Sequence, residues 1–457
     1  MKTLGFSGLF CLLTFVSISQ EIEQKLPDKT RILFLLDGSG SMLASWGKYS
    51  RIEVAKELLT DLIDSLKIDP KLQLGLRVYG HIYSRQAQNC KDTRLEVGFA
   101  TNNHQRIIDE LTSITPKGTT PIAYSLEHAA NDFPLATGYR NIVIIITDGI
   151  ESCDGDPCSV SLSLQRKNIF LKPFIIGIGM TTDYRNEFKC IGEFYDAKDQ
   201  GSFQQALQKA IVTSLEPTSV SIELLDDRDL PTESNINVSF INNFTKVPVF
   251  DFVHYRDSQG RPDSVDIDPV LTYDIIANTL PPVIKRNVRI RPGEHNVIKF
   301  NTPRGTLQLS QKGSSSYPNG VRVIIKDLKG KVINVQPMNS SEQYIAGEFQ
   351  IETLTLPRKF FKVVVKPRQT EKVTLPAPGI VNIYNISNGY GSMYEINSEG
   401  RQTWIYDLDH NQSRIALAVQ PGNYKIVFRV DGAPGSKYTS TKRITVKEGL
   451  SQVVRMF

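Results

Sequence analysis

The sequence predicts a multidomain protein, with an N-terminal doubly wound α/β domain followed by all-β sandwich domains. Three observations lead there. Apolar strand-like runs alternate with amphipathic helical stretches from residue 31 to residue 216, the rhythm of a parallel sheet covered by helices on both faces. After Glu216-Pro217 the helical periodicity stops, and short alternating segments punctuated by Pro-Gly and Lys-Gly turns take over. Within that second half a weak internal repeat recurs at about 75–80 residues, the size of one small sandwich.

In the first half the strand candidates are 31–37, 72–80, 141–148 and 170–179, with 94–99 an antiparallel edge. Unbroken Ile and Val over 142–146 calls for burial on both faces. Helix candidates are 52–66, 105–114, 121–133, 157–166 and 203–215. With right-handed crossovers these elements make an open sheet, whose ligands sit beyond the carboxyl ends of the strands where the strand order reverses. In the second half, 220–224, 235–241, 297–300, 321–325, 361–365 and 426–430 read as strands. The stretch Val419-Gln-Pro-Gly-Asn-Tyr-Lys-Ile-Val echoes Tyr344-Ile-Ala-Gly-Glu-Phe-Gln-Ile. These readings divide the chain into 26–216 and sandwich units at 217–303, 304–378 and 379–457.

Residues 1–19 read as a secretory signal. Lys2 opens it, an apolar run fills 4–16, and Ser17-Ile18-Ser19 offers small residues for cleavage. Nothing later approaches the ~18 apolar residues of a membrane span. The expectation is an exported protein, periplasmic or at the cell surface. Loss of Cys11 with the signal leaves Cys90, Cys153, Cys158 and Cys190. An even set in an oxidising compartment implies two disulfides, with three connectivities open. Zinc held by Cys153 and Cys158 is the rival reading.

The chemistry concentrates in Asp37-Gly-Ser39-Gly-Ser41, placed where a loop leaves the first strand. One carboxylate and two hydroxyls on a tight turn are hard oxygen donors suited to Mg²⁺, Mn²⁺ or Ca²⁺, although Ser, Gly and Asp are also ordinary turn residues. Gly118-Thr119-Thr120 then opens a helix, and Asp148 follows the strand 141–147. The combination resembles the von Willebrand factor type A family and its metal-ion-dependent adhesion site. The resemblance spans roughly 26–216. It implies Asp37, Ser39, Ser41, Thr120 and Asp148 as metal ligands, with Thr120 preferred over Thr119 by its distance from the glycine. Two aspartates acting partly through water and an open position filled by an Asp or Glu of a protein partner are implied as well. Cys90-Lys-Asp, the loop from Asp148 through Cys153 to Cys158, and Lys-Cys190 resemble a bacterial subgroup of that family. Cys90–Cys153 and Cys158–Cys190 is the preferred pairing, the first two leaving strand ends at the metal face and the others lying on neighbouring helices. Glu151, Asp154 and Asp156 read as solvated loop acids, with a second cation site or repulsion of anionic partners as the alternatives, and His81 as structural or ligating.

Residues 285–457 hold 26 Lys and Arg against 12 Asp and Glu, an excess of +14 in a chain of net charge +5. The basic half suits an anionic glycan or envelope surface. Lysines scattered on strand edges to deter aggregation are the plainer explanation. Nucleic acid is not expected as a partner of an exported protein. The chain shows no G-x-S-x-G, H-E-x-x-H or P-loop, so a non-enzymatic, metal-dependent adhesion protein of the bacterial envelope is expected. A structural docking component of an envelope complex is the alternative, with a metal-assisted hydrolase behind it.

Overall fold

The computed structural model describes residues 29–66, 68–134, 138–166, 170–178, 191, 194–313, 317 and 320–456. The signal-like segment, Cys11 and Cys190 lie outside them. The described chain forms two compact units, one running to Leu215 and taking in Asp266–Asp268, the other made of the remaining residues from Glu216 onward.

The first unit is built on a six-stranded sheet. Its strands are β1 (Lys29–Asp37), β2 (Leu72–Tyr79), β3 (Thr93–Ala100), β4 (Tyr139–Thr147), β5 (Phe170–Ile178) and β6 (Phe194–Ala197), in the order β3-β2-β1-β4-β5-β6. All pair in parallel except the β2–β3 edge. Among the described residues five helices cover it: α1 (Arg51–Ser65), α2 (His104–Ser113), α3 (Ile122–Asp132), α4 (Pro157–Arg166) and α5 (Gln200–Leu215). The unbroken apolar strands have the expected cause. Ile32, Phe34 and Leu36 of β1 pack with α1, α2 and α5, whereas Leu33 and Leu35 pack with α3 and α4. Each such side chain contributes roughly 1.5–3 kcal/mol by leaving water.

Local signals set the helix starts. Ser50 and Glu53 form a reciprocal capping box at α1. Helix α5 begins three residues earlier than its apolar periodicity suggests, because Asp199 Oδ1 accepts the Ser202 amide at 2.7 Å and caps the first turn. Strand β6 carries no signal in the sequence, because four residues are too few for a pattern to stand out.

The second unit is all-β. Its strands make three pairs of sheets, each pair with one three-stranded and one four-stranded member. The pairs draw on strands from Ser219–Leu225 to His295–Asn301, from Arg304–Gln311 to Thr370–Leu375, and from Gly379–Tyr384 to Ser451–Arg455. Each has the same seven-strand topology, with the opening strand at the centre of the small sheet and parallel to the closing one. The sequence echo falls on equivalent positions. Phe349 and Tyr424 are both buried in a central strand of a four-stranded sheet.

Candidate metal centre

The strand order reverses about β1, so the carboxyl ends of β1 and β4 open on one crevice. Asp37 is the last residue of β1 and Asp148 follows the end of β4. Both carboxylates are buried. The loop from Asp37 turns sharply under backbone control, with the Gly38 amide donating to Tyr79 O at 2.7 Å and the Gly40 amide to Gly118 O at 3.0 Å. It then enters a short 3-10 turn, Gly40–Leu43, anchored by the buried Met42.

These constraints bring four of the five expected side chains into one hydrogen-bonded chain. The Ser39 amide donates to Asp37 Oδ1 at 2.8 Å. Ser39 Oγ and Ser41 Oγ lie 2.9 Å apart, and Ser41 Oγ donates to Asp148 Oδ1 at 2.8 Å. Thr120 arrives on the loop before α3. The Gly118 amide donates to Gly80 O at 2.7 Å, and Thr120 exchanges backbone bonds with Ser152, through its amide to Ser152 Oγ and its carbonyl from the Ser152 amide. Thr119 Oγ1 is occupied, donating to Asn89 O at 2.9 Å. Thr120 is buried as a residue, and its hydroxyl makes no hydrogen bond among the described residues. Gly80 is the point where these loops meet. Its φ is +68°, and a Cβ there would stand 2.9 Å from Ser39 N and press on Thr119 O.

Two contacts lie outside the expected set. Thr147 Oγ1 donates to Asp37 Oδ2 at 2.7 Å, and Arg51 Nη1 donates to Asp148 Oδ2 at 2.6 Å. Thr147 carried a sequence signal, since a hydroxyl ending a fully apolar strand needs a buried partner. Arg51, the first residue of α1, carried none. All four carboxylate oxygens are thus engaged by protein donors. Burial, reinforced by the charge of Asp148, pushes the Asp37 carboxyl up to about 6 despite its bonds to Ser39 and Thr147.

The neighbouring acids serve other ends. Glu151 is not a solvated loop acid: its carboxylate accepts the amides of Ala123 at 2.6 Å and Cys153 at 2.9 Å, one at the start of α3. Asp156 accepts the amides of Cys158 and Ser159 at the start of α4. His81 is hydrogen-bonded to Glu96 at 2.7 Å. Cys90 and Cys153 are joined by a disulfide, which excludes Cys153 from a zinc site. Cys158 is also disulfide-bonded, and Cys190, its preferred partner, lies outside the described residues.

The donor chemistry fits a hard divalent cation. The donors are all oxygen, three of them neutral hydroxyls. Adjacent ligands of an octahedral Mg²⁺ bound at about 2.1 Å stand about 3 Å apart, and the Ser39–Ser41 and Ser41–Asp148 oxygens match that spacing.

A family model for the von Willebrand factor type A domain matches residues 32–213. The uncharacterized protein YwmD of Bacillus subtilis strain 168 is 31% identical over 220 residues, covering 46% of this chain and 97% of that protein. The uncharacterized protein YwmC of the same organism is 31% identical over 196 residues, covering 41% and 84%. Among solved structures, the conserved hypothetical protein BatB from Bacteroides thetaiotaomicron covers 40% of this chain and 98% of its own, at 21% identity and a TM-score of 0.32. The chain belongs to the von Willebrand factor type A domain family.

Proposed function

We propose that this protein is an exported, non-enzymatic binding protein of the bacterial envelope. Its N-terminal unit holds a divalent cation, Mg²⁺ foremost and Mn²⁺ or Ca²⁺ otherwise, and captures an Asp or Glu side chain of a protein partner. Ser39, Ser41 and Thr120 would bind the ion through their hydroxyls. Asp37 and Asp148, already satisfied by protein donors, would hold its waters and supply most of the charge. The observation that carries the reading is the hydrogen-bonded chain through Asp37, Ser39, Ser41 and Asp148 at the point where the strand order reverses. An ion with mainly neutral direct ligands keeps much of its positive charge for an incoming carboxylate.

Export rests on the signal-like residues 1–19. Among the described residues no helix is long and apolar enough to cross a membrane. Calorimetric titration of the full chain with Mn²⁺ tests the metal site. The expected result is one site in the wild type and none in Asp148→Ala; absence of binding in the wild type overturns the reading. Capture of an envelope partner that persists both in EDTA and in Asp148→Ala would move the binding role to the β-rich unit.

A further inference from the structure

We infer that Arg51 sets the charge of this centre so that the cation and an acidic ligand bind cooperatively. The inference rests on the metal-binding reading above and concerns what one unassigned side chain does to it. The capping box fixes Arg51 at the start of α1: the Ser50 amide donates to Glu53 Oε2 at 2.7 Å and the Glu53 amide to Ser50 Oγ at 3.4 Å. From there the guanidinium reaches Asp148 Oδ2 at 2.6 Å. The Asp148 side chain is fully buried, while 22% of the Arg51 side chain remains exposed. A buried carboxylate without a counter-charge is strongly destabilising, and Arg51 supplies that charge when no ion is bound.

The charge count follows directly. Asp37 and Asp148 bring −2 and Arg51 brings +1. A divalent cation then leaves the centre at +1, and a single incoming carboxylate returns it to neutral. Without Arg51 the two aspartates alone would balance the ion, and the ligand carboxylate would enter as an uncompensated charge. Arg51 therefore repels the cation on its own and favours the cation with its anionic ligand. Linkage makes the effect mutual, each of the two strengthening the other by the same factor. Lysine at this position would keep the charge but lose the planar fork.

The test is Mn²⁺ titration of the full chain, wild type, Arg51→Gln and Arg51→Lys, with and without acetate as the simplest carboxylate. In the wild type acetate should tighten Mn²⁺ binding severalfold. Arg51→Gln should bind Mn²⁺ alone about tenfold more tightly, lose the acetate effect, and melt at a lower temperature in EDTA. Arg51→Lys should stay near the wild type in affinity. Acetate without effect on the wild type overturns the inference whatever the variants do, as does equal Mn²⁺ affinity in the wild type and Arg51→Gln. Failure of the metal reading looks different, with no Mn²⁺ bound by any of the three.

Discussion

Replacing Thr147 by Val removes one hydroxyl beneath the centre and keeps the shape of the side chain. That hydroxyl donates to Asp37 Oδ2 at 2.7 Å and accepts the Gly149 amide at 3.2 Å. A hydrogen bond to an ionised group contributes about 1.5–3 kcal/mol, and one between neutral groups about 0.5–1.5 kcal/mol. Which value applies depends on Asp37, whose carboxyl is pushed up to about 6. At pH 8 the group is ionised and the substitution should cost about 2 kcal/mol or more. At pH 5 it is protonated and the cost should fall to about 1 kcal/mol. The readout is urea unfolding in EDTA, followed by the fluorescence of Trp46, which packs edge-on against Phe203 at 6.4 Å. The chain has only one other tryptophan, Trp404; it is exposed, and a Trp404→Phe background removes its signal. An equal loss at both pH values, or none at pH 8, refutes the view that Thr147 stabilises the Asp37 carboxylate.

The raised Asp37 group also predicts two pH effects of opposite sense. Folding holds its proton more tightly than the unfolded chain does, so this one group's contribution to the stability of the cation-free unit is fully present below about pH 4 and is lost, by up to about 3 kcal/mol, as the pH rises through 6. Cation binding needs the ionised form, so Mn²⁺ affinity measured by calorimetry should weaken as the pH falls through about 6. Gly80→Ala places a Cβ 2.9 Å from Ser39 N at a φ of +68°; at least tenfold weaker Mn²⁺ binding is expected in the same titration. The double variant Cys90→Ser, Cys153→Ser removes a link across 63 residues. It should cost about 2–4 kcal/mol and lower the melting temperature of the first unit by roughly 5–15 °C in a calorimetric scan.

The parts of this molecule legible in the sequence are those where one physical cause dominates. Burial on both faces wrote β1 and β4 as unbroken apolar runs, and one carboxylate with two hydroxyls set Asp37, Ser39 and Ser41 apart within a single turn. Edge strands had no such author. Val283–Arg289 and Ser341–Ile345 are mostly exposed, so neither shows the alternation that marks a half-buried strand. Arg51 was hidden for another reason. Its partner Asp148 lies 97 residues away, and only the parallel register of β1 with β4 brings the start of α1 to the end of β4. Contacts made by tertiary structure alone leave no local trace.

Acidic residues crowd this end of the sheet, yet they divide into two kinds, and the division limits the stoichiometry. Asp92, itself buried, accepts the amides of Ile82 and Tyr83 at 3.2 and 3.0 Å. Glu151 accepts two more and Asp156 another two. Each of these six amides would lose its partner if the acid turned to a second ion, and at the buried Ala123 an unsatisfied amide costs about 1–3 kcal/mol. Asp37 and Asp148 face a different exchange. Three of their four oxygens are engaged by side chains, and those of Ser41 and Arg51 can re-aim as a cation enters. A loop amide can re-aim only if the backbone moves. The centre should therefore take one cation, and a second Mn²⁺ binding with comparable affinity would mean that the loops are far less committed than their hydrogen bonds require.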